Sequence, residues 1–207
     1  MFLPFEKMKL RVEIARSDSD TALFYDLMHY GEMILKFAVA GIIAAIHDDR
    51  DRTRYGFMYR LLRASGIGDW ASSIDEILIG PAAQHLSNAA RIEQRELTIK
   101  CNSGEWQYDS ILALYKCIET LDRAIDPLSN KVDGRKWFSY FANLRNKTKG
   151  HGALSGESIS RICPYLERSL NIFVMNFSLF NNRQWAYVYR NLSGKYRISV
   201  LRKNLTK

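Results

Sequence analysis

Arg145 and His151 stand six positions apart at the end of an apolar helical stripe, with Asn146 beside the arginine. Histidine is the side chain best suited to moving protons near neutral pH. Arginine presents a planar fork to a phosphate and stays charged throughout. A proton carrier beside a fixed cation suits phosphodiester transesterification in RNA. A base takes the proton of the ribose 2′-hydroxyl, that oxygen attacks phosphorus, and the cation stabilises the phosphorane. Lys147 and Lys149 add positive field between the two. No carboxylate cluster or second nearby histidine accompanies them, so neither a metal nor a cofactor is expected. Plainer roles exist for each residue: a surface ion pair for Arg145, a helix-end cation for His151, an ordinary helix-end residue for Asn146.

The geometry of this set depends on Gly150. A separation of six on an unbroken helix points two side chains about 240° apart. Glycine lets the chain turn and His151 swing back toward Arg145. Upstream, Trp137, Tyr140, Phe141 and Leu144 recur at helical spacing and run directly into the basic segment.

The other elements read as a mainly α chain: an antiparallel helical bundle with a short C-terminal β-hairpin. A first helix covers about 6–16. Ser17-Asp18-Ser19-Asp20 offers capping side chains. The pattern from Thr21 to about His47 is helical, with Glu32 and Lys36 one turn apart in the favourable order. A helix from Thr53 to Ala64 follows, then a turn at 65–69 with Asp69 as N-cap and a short helix carrying Trp70, Ile74, Ile77 and Leu78. Residues 86–98 are weakly helical. Trp106 to Asp126 is a strong helix ended by Pro127. Ser155 to Phe180 is the last, with Pro164 in its first turn or at a kink. Residues 185–189 and 196–201 are β-rich around Asn191-Leu192-Ser193-Gly194, the signature of a hairpin. Two units are expected: a helical domain over 1–181, and a hairpin over 182–207 that is an appendage or the start of a truncated second domain.

Long helices, the Trp137/Phe141/Leu144 stripe, and an Arg-Asn pair followed by a histidine at the helix end resemble the HEPN superfamily. Its signature is an arginine, four to six residues, then a histidine, commonly with a polar residue after the arginine. The resemblance implies an all-α, dimeric, metal-independent ribonuclease in which two motifs meet across the dimer. Arg145 would bind the scissile phosphate, His151 would act as general base or acid, and Asn146 would orient His151 or the ribose. It also implies antiviral defence, toxin–antitoxin or RNA-processing roles. One subgroup carries a tyrosine two places after the histidine, where this chain has Ala153.

Charge agrees with an anionic partner. Residues 129–207 contain 15 Lys and Arg against three acids, a balance of +12, whereas 1–128 carry 15 against 19, a balance of −4. Clustered cations attract polyanions through counterion release. Lys147 and Lys149, with Arg190 and Arg197 among the hairpin tyrosines, are the expected RNA contacts. Three cysteines without CxxC spacing fit a reducing compartment and buried positions. The N-terminus lacks the layout of a signal peptide. The apolar run Met33–Ile46 is shorter than the roughly 20 residues of a membrane span, so a cytoplasmic protein away from membranes is expected. A non-catalytic module that dimerises and binds RNA, a nucleotide or a protein is the alternative, as is an oligomerisation scaffold for an absent C-terminal domain; a regulatory protein is a further candidate partner. There is no Gly-rich phosphate loop and no Ser-His-Asp or Cys-His set.

Overall fold

Ser19 separates the first two helices by serving both. Its extended backbone breaks the chain while its amide still donates to the Ala15 carbonyl at 3.1 Å. Its hydroxyl accepts from the Ala22 amide at 3.1 Å and so caps the next helix. In the computed structural model, which describes residues 2–47, 52–150, 154–190 and 196–201, these helices are α1 (Leu3–Asp18) and α2 (Asp20–Ala44). α1 turns Phe5, Met8, Val12 and Ala15 inward. α2 is the central element and packs on α1, on α4 (Ile67–Leu78) and on α8 (Gly156–Asn176). By length and composition α2 could cross a membrane, with a mean hydropathy of 1.4 in its most apolar window, but 56% of that window is buried in protein.

The remaining helices are α3 (Thr53–Leu62), α5 (Arg91–Thr98), α6 (Trp106–Leu121), α7 (Lys136–Gly150) and the short α9 (Ser178–Asn181). Short 3-10 turns cover Pro81–His85 and Asn88–Ala90. A two-residue ribbon pairs β1 (Lys100–Cys101) with β2 (Val132–Asp133), antiparallel. The hairpin is β3 (Ala186–Arg190) against β4 (Tyr196–Val200). The mainly α class with a C-terminal hairpin is therefore present.

Several boundaries differ from the sequence expectation, each for a local reason. α4 starts two residues before Asp69, with Gly66 at the N-cap. Asp69 caps from inside the first turn, its carboxylate accepting from the Ser65 and Gly66 amides at 3.0 and 3.3 Å. α6 stops at Leu121, ahead of Pro127, because Asp122 is extended and its carboxylate takes the Ala124 amide at 3.1 Å. Such a local turn competes with the helical ladder. Pro164 lies in the third turn of α8, inside the helix. α8 ends at Asn176, and α9 begins after Phe177, where Glu96 accepts the Ser178 amide and hydroxyl at 3.1 and 2.8 Å.

A buried polar triad ties α6, α7 and α8 together. Trp137 Nε1 donates to Ser169 Oγ at 3.0 Å, and Ser169 Oγ donates to the Ser110 carbonyl at 2.8 Å. All three side chains are fully buried. Ser169→Ala leaves the indole N–H without its acceptor. It is expected to lower stability by about 1–3 kcal/mol, read as a lower urea midpoint at unchanged slope.

All three cysteines are free and buried. Burial pushes the Cys163 thiol up to about 12 and raises Cys117 and Cys101 as well. They behave as small apolar side chains rather than nucleophiles.

The hairpin is seated at its base. Trp185 packs against Phe2, Phe37 and Phe180, and its Nε1 donates to the Leu179 carbonyl at 3.0 Å. The Leu201 amide donates to the Trp185 carbonyl at 2.8 Å, and the Leu201 carbonyl accepts from Leu3. Beyond that base, Tyr187, Val188, Ile198 and Val200 are largely exposed.

Candidate functional site

α7 is placed by its apolar stripe. Trp137, Phe138, Phe141 and Leu144 are fully buried, and the Phe141 ring lies parallel to Trp137 with centroids 5.5 Å apart. Across from Phe141 stands Gly31 of α2. A Cβ built on Gly31 would sit 2.0 Å from the Phe141 ring. The two helices therefore approach to a distance that only glycine permits.

One turn beyond Phe141 is Arg145, and next to Gly31 is Glu32. The close approach brings them together: Arg145 Nε donates to Glu32 Oε1 at 3.0 Å. Both side chains are mostly shielded, 24% and 17% exposed. The bond uses one of the five N–H donors of a guanidinium, and it fixes the plane in which the fork lies. Thr148 Oγ1 donates to the Arg145 carbonyl at 2.9 Å, so near the end of α7 that carbonyl has a side-chain donor.

The neighbours of Arg145 divide by helix position. Asn146 is exposed. Lys147 Nζ donates to Asp122 Oδ2 at 2.7 Å, which ties the end of α7 to the turn after α6. This bond, with the Ala124 amide, holds the Asp122 carboxyl below the usual carboxylate range. Lys149 is in the last turn, and the helix runs through Gly150. The Lys149 side chain is outside the described set. His151 lies outside the described residues with Gly152 and Ala153, so the expected swing back toward Arg145 falls outside them too.

Of the hairpin candidates, Arg197 is exposed and stands opposite Tyr189, while Arg190 stands opposite Tyr196. The Arg190 side chain is outside the described set. Among the other histidines, His29 Nδ1 is 3.6 Å from Asp26 and His85 contacts Gln84. Among the described residues no group of three or more His, Cys, Asp and Glu side chains could hold a metal ion.

Glu32 is the site residue that sequence reasoning missed. Its spacing from Lys36 reads as an ordinary pair along one helix. Its partner Arg145 is 113 positions away, and no local pattern connects them. Lys36 instead reaches over Trp70 of α4, with Nζ 5.9 Å from the ring centroid.

The arrangement can hold a guanidinium rigidly at the edge of two helices, one residue before Asn146 and one and a half turns before the end of α7. Such a group can bind an anionic oxygen without first being ordered. No known protein family matches the chain, and no characterised protein or solved structure matches it either.

Proposed function

We propose that the chain is a metal-independent endoribonuclease of the HEPN type that works as a homodimer in the cytoplasm, in antiviral defence, a toxin system or a stress response. The observation that carries this reading is the shielded Arg145–Glu32 pair, at 3.0 Å, at the end of the helix that leads into His151. In this mechanism Arg145 holds the scissile phosphate and Glu32 fixes its orientation. His151 takes the 2′-hydroxyl proton as the O2′–P bond forms. The P–O5′ bond breaks, and His151 of the second copy gives a proton to the departing 5′-oxygen. Asn146 orients the histidine or the ribose. The products are a 2′,3′-cyclic phosphate and a 5′-hydroxyl.

One observation favours a second reading. Glu32 partly neutralises Arg145 and Asp122 does the same for Lys147, which lowers the attraction for phosphate at that helix end. A binding module for RNA, a nucleotide or a protein, with or without a regulatory partner, keeps the same residues and cleaves nothing.

The deciding experiment incubates the purified protein with single-stranded RNA in excess chelator. Cleavage with cyclic-phosphate ends is expected. Cleavage that appears only when a divalent ion is added overturns the mechanism, and no cleavage under either condition favours the binding module.

A further inference from the structure

α3 buries Phe57 and Leu61 but turns four large side chains outward: Tyr55, Met58, Tyr59 and Leu62 are each at least half exposed. An apolar patch of this kind on so short a helix marks an interaction surface. Its charge says what kind. Residues 52–63 contain four arginines and no acid, within the part of the chain that is otherwise net negative. Arg60 is held by Glu76 in a two-point pair at 2.9 and 2.8 Å. Arg63 is turned to the exposed tyrosines: its Nη1 donates to the Tyr59 hydroxyl at 2.7 Å, and its guanidinium lies 5.5 Å from the ring centroid. The Tyr55 and Tyr59 rings are nearly parallel, 19° apart in plane with centroids 6.2 Å apart.

The patch continues along α2. Glu32, Lys36 and Ala40 are one turn apart on one face of that helix, so Ala40 lies about 12 Å from Glu32 along the axis. Lys36 sits over Trp70. Beside it, a cleft of about 260 Å³ is lined by Ala40, Ile43, Ala44, Met58, Leu62 and Trp70. A strip of aromatic, apolar and cationic side chains thus runs from the Arg145–Glu32 pair to the outer face of α3.

We propose that this strip is a platform for single-stranded RNA, with bases stacking on Tyr55 and Tyr59 and phosphates meeting Arg63 and Lys36. That the strand then leads to Arg145 rests on the ribonuclease reading; the binding itself does not. Parallel exposed rings next to cations are the pattern that takes unpaired bases without sequence preference. A second copy of this chain suits the surface less, because both partners would bring the same cationic rim. A duplex keeps its bases stacked inside and offers the rings nothing.

The test measures binding of a short fluorescein-labelled 2′-O-methyl oligouridylate by anisotropy. The missing 2′-hydroxyl prevents cleavage by the proposed route, so the result is independent of whether the protein is a nuclease. The Y55A/Y59A double variant is expected to bind at least about tenfold more weakly, Tyr59→Phe to bind as wild type within about threefold, and Arg63→Ala to show a smaller salt dependence. These residues are exposed, so circular dichroism should report an unchanged fold. Binding of the double variant within twofold of wild type overturns the proposal. So does a loss in Tyr59→Phe equal to that in Tyr59→Ala, or a duplex whose binding depends equally on the tyrosines. Sedimentation showing that Leu62→Glu separates a dimer while oligonucleotide binding stays intact overturns it in favour of a self-association face.

Discussion

Arg145→Ala is expected to reduce RNA cleavage by about 10²–10³-fold, the loss that follows removal of a preorganised group from a developing negative charge. His151→Ala is expected to cost about 10²–10⁴-fold, as for a general acid or base. Arg145→Lys should fail to restore activity, because an ammonium cannot accept the side-on support of Glu32 and still present a planar fork. Glu32 separates positioning from folding. Glu32→Gln keeps an acceptor at the place where Nε donates at 3.0 Å, but removes the neutralising charge. Its expected signature is a lower KM, from stronger attraction for phosphate, with a kcat lowered much less than in Glu32→Ala. A merely structural ion pair would make Gln and Ala alike in kcat, differing only in thermal stability. Turnover by Arg145→Ala and His151→Ala at the wild-type rate would remove this site from the reaction.

The second large effect is on the fold and, through it, on the same pair. Gly31→Ala in a free helix would be stabilising by roughly 1 kcal/mol from propensity alone. Here the added methyl meets the Phe141 ring at 2.0 Å. The ring cannot step aside, since it is fully buried and stacked on Trp137, which is itself pinned to Ser169. α7 must then move off α2, at an expected net loss of about 3 kcal/mol, measured as a drop in urea midpoint. The movement separates Arg145 from Glu32 one turn away, so cleavage should fall with stability. Adding Phe141→Leu should return part of both losses by making room for the methyl group. Stability and activity equal to wild type in Gly31→Ala would contradict the close α2–α7 contact.

Much of the helical framework is legible in the residues because its causes are local. Leu23, Phe24, Leu27 and Ile34 repeat at helical spacing and are buried together on α2. Ser19 and Ser155 cap helices through amides three positions ahead, at 3.1 and 3.2 Å. The Trp137, Phe141 and Leu144 stripe is fully buried, as its spacing requires. Helix boundaries shift where two local signals compete. Asp122 ends α6 five residues before Pro127, and Asp69 caps α4 from within its first turn rather than from the N-cap position. Pro164 is tolerated inside α8, a helix whose Ile162, Cys163, Leu166 and Leu170 are buried against the core.

For the segment around Arg145, the residue types, the helix that carries them and the basic run that follows are all readable along the chain. What Arg145 faces is not readable there. That was decided by a crossing of α2 and α7, where the missing side chain of Gly31 admits Phe141 and so brings Glu32 to Arg145. The outward face of α3 was decided in the same way. Tyr55 and Tyr59 became a stacked exposed pair only once Phe57 and Leu61 had turned toward the core. Helical period and capping act over three or four residues and can be read along the chain. Which helix faces meet depends on shape across more than a hundred residues, and packing alone settles it.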